Sequence, residues 1–85
     1  MNAKEHNEAV KAQLEKILSA KVAQAMPESP GLPQTHTLDL LMSGFGAPWA
    51  QHIIVTHLGY MRPVEETANV IANRLINNYM ADPEL

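Results

Sequence analysis

The sequence predicts an all-α protein, a small bundle of three to four helices, and three observations carry that expectation. Two long segments, residues 2–26 and 64–80, place apolar side chains at three- and four-residue steps between polar ones, the period of an amphipathic helix. Prolines and glycines fall in clusters between the segments rather than inside them. The centre, Leu40 to Met61, holds three of the four aromatics and no Asp, Glu, Lys or Arg, so flanking helices or a partner must cover it.

In the first helix Val10, Leu14, Ile17, Leu18, Val22, Ala25 and Met26 form the apolar stripe, and Lys, Glu and Gln fill the other faces. Lys21 and Gln24 interrupt a strict heptad, which favours packing in a bundle over a zipper. Residues 27–34, PESPGLPQ, contain three prolines and a glycine and predict an extended Pro-rich connection. Thr35 or Thr37 is a candidate cap for a short second helix running to Met42 and closing at Ser43 and Gly44. Pro48 suits the first turn of a third helix, Trp49 to Leu58, with Gly59 as its left-handed C-cap.

The β-branched run Ile53, Ile54, Val55 and Thr56 supports a different arrangement, α-β-β-α, in which residues 52–58 pair with His36–Met42 as a central hairpin. The last helix opens at Pro63 with Glu65 and Glu66 in its first turn, where the helix dipole favours acids. Its stripe is Val64, Ala68, Ile71, Leu75, Ile76, Tyr79 and Met80, and residues 81–85 form a frayed tail.

One helical domain spanning residues 1–85 is all this length permits, and its core should be thin because much of the apolar content is alanine. Self-association is the simplest compensation, so a homodimer is expected. The absence of cysteine removes disulfides, thiolate zinc sites and cysteine nucleophiles. The polar start, MNAKEHNEAVKAQLEK, has no apolar signal-peptide core, which makes a cytoplasmic location the default. Ser43, Gln51, His52, His57, Pro48 and three glycines interrupt the central stretch and argue against a membrane span.

Charge speaks against nucleic acid. The net charge is −3, and the six Lys and Arg residues form no cluster. Residues 51–78 resemble a helix-turn-helix loosely, and a small DNA-binding or transcription-modulating protein is the alternative function on that ground. Pro63 and Glu65 sit badly in such a motif, and Arg74 is the one base on its second helix.

His36, His52 and His57 with Asp39 are ligand types for zinc, but His52 and His57 stand five residues apart, about 140° around a helix, so they cannot share a metal as an i, i+4 pair does. No nucleophile motif or phosphate-binding glycine loop is present, and neither catalysis nor a cofactor is expected. The expected function is therefore a non-catalytic protein–protein interaction module, an adaptor, inhibitor or assembly factor, binding a partner protein through the uncharged segment 40–61. Candidate contact residues are the apolar Met42, Phe45, Trp49, Tyr60 and Met61. To these is added the asparagine line Asn69, Asn73 and Asn77, poor helix formers recurring at four-residue steps.

Overall fold

A computed structural model describes residues 2–81, which form four α-helices and a single 3-10 turn, with no strand among the described residues. The elements are α1 (Ala3–Ala25), α2 (Leu32–Met42), the 3-10 turn Ser43–Gly46, α3 (Pro48–Gly59) and α4 (Val64–Ala81). The all-α bundle is thus the observed architecture, and the α-β-β-α alternative is not. Residues 52–58 are helical although four of them are β-branched, because the helix buries Ala50 and Ile54 against the other helices and the segment has no neighbouring strand.

Helix α1 begins at a reciprocal cap: Asn2 Oδ1 accepts the Glu5 N–H at 2.8 Å, and the Glu5 carboxylate receives the Asn2 N–H at 3.5 Å. Its buried residues are His6, Val10, Leu14, Leu18 and Val22, an uninterrupted line of four-residue steps. Ile17 and Met26 are half-buried against the core, whereas Ala25 is exposed.

The connection after α1 is shorter than the Pro-rich 27–34 of the sequence. Helix α2 already starts at Leu32, since Pro33 falls in its first turn, where a missing N–H costs no hydrogen bond. Gly31, at φ 81°, makes the left-handed entry, so neither Thr35 nor Thr37 is the cap. Thr37 instead donates its hydroxyl to the Pro33 carbonyl at 3.0 Å inside the helix. The Gln34 side-chain amide donates to the Met26 carbonyl at 2.7 Å and ties the start of α2 to the end of α1.

Helix α3 ends differently from the expectation as well. Gly59 is still helical, and the left-handed residue is Met61, at φ 57°. The Met61 N–H reaches the Leu58 carbonyl at 3.0 Å and the Arg62 N–H reaches the His57 carbonyl at 2.9 Å, which is the paired bonding of a Schellman ending. In α4 the acids Glu65 and Glu66 occupy the first turn as expected, and the helix closes at Ala81. Apart from Ala81, the tail expected at 81–85 lies outside the described residues.

The contacts fix how the limbs run. One cleft brings Val22 of α1 and Met26 at its C-cap together with Ile76, Tyr79 and Met80 of α4, so these two helices lie parallel, end matched to end. Between them the chain returns in two pieces. Thr37 and Leu41 of α2 line that same cleft, Gly44 abuts Leu75, Trp49 meets Arg74, and His57 meets Thr67. The middle limb therefore descends along α4 from its end to its beginning, broken once by Gly44, Gly46 and Pro48.

The most extensive packing is between α1 and α4, not around residues 40–61. Leu14 and Leu18 of α1 and Ile71 of α4 are fully buried, and so are Ala68 and Ala72, whose small side chains allow close approach of the helices. The central stretch contributes Leu41, Ala50 and Ile54 to the core and leaves the rest half-buried or exposed. The dimensions, 40 × 22 × 16 Å, are those of a bundle one long helix in length.

Candidate interaction surface

The eight residues singled out in the sequence fall in three places. Met42, Phe45 and Trp49 are half-buried and pack against the protein's own core near the break in the middle limb. The Trp49 ring also carries the Arg74 guanidinium 4.5 Å from its centroid. Tyr60 and Met61, by contrast, are 75% and 88% exposed at the far end of α3. They stand about 16 Å along the helix axis from Trp49, at 1.5 Å per residue.

Asn69, Asn73 and Asn77 are exposed on the side of α4 opposite its buried stripe. Two of them, Asn69 and Asn73, share a shallow groove with Pro63, Glu65, Glu66 and Val70.

The exposed positions of the middle limb have a composition of their own. On α3 the exposed positions are Pro48, His52, Val55 and Gly59, spaced so that they share one face. On α2 they include Leu32, His36, Asp39 and Leu40. With Tyr60 and Met61 added, the exposed positions from residue 32 to residue 61 hold a single formal charge, that of Asp39. The neighbouring limbs differ sharply: the exposed side of α1 carries Lys4, Glu5, Glu8, Lys11, Glu15, Lys16 and Lys21, and that of α4 begins with Glu65 and Glu66. Leu32, Leu40, Val55 and His52 were not among the residues picked from sequence. The readable signal was the spacing of Pro48, His52, Val55 and Gly59, which marks an outward face only once the segment is known to be helical.

The four histidines occupy three different settings. His36 and His52 are exposed, and His57 Nδ1 lies 2.8 Å from the hydroxyl of fully buried Thr67, joining α3 to α4. His6 is 2% exposed, on the buried line of α1. No group of three or more His, Cys, Asp or Glu side chains comes together among the described residues. In the segment that resembles a helix-turn-helix, both arginines are already engaged: Arg62 faces Glu66 at 3.6 Å and Arg74 lies over Trp49. No helix among the described residues is long and apolar enough to cross a membrane.

A cleft of about 290 Å³ between the C-terminal ends of α1 and α4 is lined chiefly by Val22, Ala25, Met26, Leu41, Ile76, Tyr79 and Met80. It is a second apolar feature, separate from the middle-limb face. No protein-family model, curated protein or solved structure matches this chain.

Proposed function

We propose that this protein is a non-catalytic interaction module, an adaptor, inhibitor or assembly factor, that docks through the outer face of its middle limb. The observation that supports it is the contrast in charge between limbs. Exposed positions from Leu32 to Met61 hold Asp39 alone as a formal charge, while α1 presents an ordinary lysine- and glutamate-rich exterior. Interface cores are depleted in charge and enriched in aromatic residues and methionine, and Tyr60, Met61, Val55 and Leu32 supply that chemistry here.

The contact residues are accordingly Val55, Tyr60 and Met61 at the centre and end of α3, with Leu32 and Leu40 on α2. Met42, Phe45 and Trp49 support the face from beneath. The face admits two uses, pairing with another copy of the chain and capture of a different protein.

The test compares the wild-type chain with Val55→Glu and Tyr60→Ser, both at sites exposed enough to leave the core intact. A protein retained from lysate of the source through high salt by the wild type, and by neither variant, is the expected result if the face captures a different protein. Equal retention by the wild type and by variants with unchanged helical circular dichroism would remove the middle limb as the docking face.

A further inference from the structure

We infer that the cleft between the C-terminal ends of α1 and α4 binds a small amphipathic anion, an aliphatic carboxylate of about eight to ten carbons. The middle-limb face plays no part in this site. Size is the first reason. The cleft encloses about 290 Å³. An apolar cavity of about 150 Å³ accepts benzene, roughly 25 Å³ per carbon, so this one has room for about eleven carbon-sized atoms. Its walls come from three helices, and apart from Tyr79 the apolar side chains are aliphatic or thioether. Met26 and Met80 are unbranched and adaptable, which suits a flexible chain better than a rigid ring.

Charge is the second reason, and it selects the head group. Among the described residues that line the cleft Lys21 alone is charged, and its ammonium calls for an anion. Thr37, the other polar wall residue, already gives its hydroxyl proton to the Pro33 carbonyl. Charge also sets the direction. The last carbonyls of a helix carry partial negative charge, which opposes an anion at the extreme ends of α1 and α4 but fades within a turn. Lys21 stands four residues before the end of α1 at Ala25, about 6 Å down the axis. The carboxylate therefore sits at Lys21 and the chain runs toward Met26 and Met80. Apolar burial supplies most of the affinity, because Lys21 is exposed and an exposed ion pair contributes little.

The test titrates octanoate into the full chain and follows the methionine methyl resonances. Those of Met26 and Met80 should shift and saturate as one site, with a Kd below about 1 mM, while that of Met61 stays in place. Lys21→Met keeps an apolar stem and removes the charge at an exposed position, so its circular dichroism should match the wild type. It should weaken octanoate about fivefold and leave the affinity for uncharged 1-octanol unchanged.

No saturation at several millimolar octanoate overturns the inference, as do equal shifts at Met61, which mark adsorption to any exposed apolar surface. Octanoate binding that Lys21→Met leaves intact overturns the anionic head group. None of these outcomes bears on the middle-limb docking face, whose own variants lie on α3.

Discussion

Gly44 lies against the side chain of Leu75 so closely that a Cβ at position 44 would collide with the Leu75 methyl. This is where the broken middle limb presses on α4. An exposed leucine could swing its terminal methyl aside, but Leu75 is buried in the core and cannot move without displacing its neighbours. Gly44→Ala should therefore destabilise the protein by about 1–2 kcal/mol, the usual range for overpacking. Urea unfolding of Gly44→Ala, Leu75→Ala and the double variant checks it. Leu75→Ala should cost less in the Gly44→Ala background than alone, because removing the leucine relieves the clash. Additive losses would mean that the two residues do not press on each other.

Much of the fold was legible because periodicity and turn residues agree. The four-residue steps of Val10, Leu14, Leu18 and Val22, and the three- and four-residue steps of Ala68, Ile71 and Leu75, reported the α1–α4 seam directly. Joints were harder to read. Pro33 reads locally as a breaker but is harmless in a first turn, and Gly59 reads as a cap but is carried inside the helix while Met61 takes the left-handed position. The candidate surface was half legible. Absence of charge marked out the stretch, but sequence gives no direction to a side chain until its element is known, so inward Trp49 and outward Tyr60 looked alike.

His6 is the buried polar member of an otherwise apolar line. It is 2% exposed, and its Nε2 has no hydrogen-bond partner among the described residues. A buried polar atom without a partner loses its hydration and gains nothing in exchange. Leucine at this position would extend the line of Val10, Leu14 and Leu18 by one further four-residue step. His6→Leu should stabilise the protein by about 1 kcal/mol, seen as a higher urea midpoint at unchanged slope. A drop in midpoint would show that the imidazole fills its site in a way leucine cannot.

Met61 pays for a backbone shape that glycine adopts freely. Its φ of 57° lies in the left-handed region, and its side chain is 88% exposed, so no packing in this chain depends on it. Met61→Gly should raise stability by up to about 1 kcal/mol, the left-handed strain relieved being partly offset by the greater freedom of glycine in the unfolded chain. Thermal denaturation of the dilute protein checks this, and an unchanged or lower Tm would contradict it. The same substitution removes an apolar side chain from the proposed docking face. Stability and association should therefore move in opposite directions, a combination that a purely structural role for Met61 does not produce.

Trp49 in the first turn of α3 and Tyr60 at its C-cap should respond oppositely when tested for folding and for docking. Trp49 is half-buried against the core and under the Arg74 guanidinium, so Trp49→Ala removes apolar contacts and an exposed cation–π pair together. The expected loss is about 2 kcal/mol, below the range for a fully buried tryptophan because part of the ring is already in water. Tyr60 is 75% exposed, and Tyr60→Ser should change folding stability by no more than about 0.5 kcal/mol. Dilute-protein urea unfolding supplies the first comparison and association measurements the second. The pairing expected is a Trp49→Ala variant weakened in folding and a Tyr60→Ser variant weakened in association. Should Trp49→Ala fold with wild-type stability yet lose association, the tryptophan belongs to the docking face itself rather than to the support beneath it.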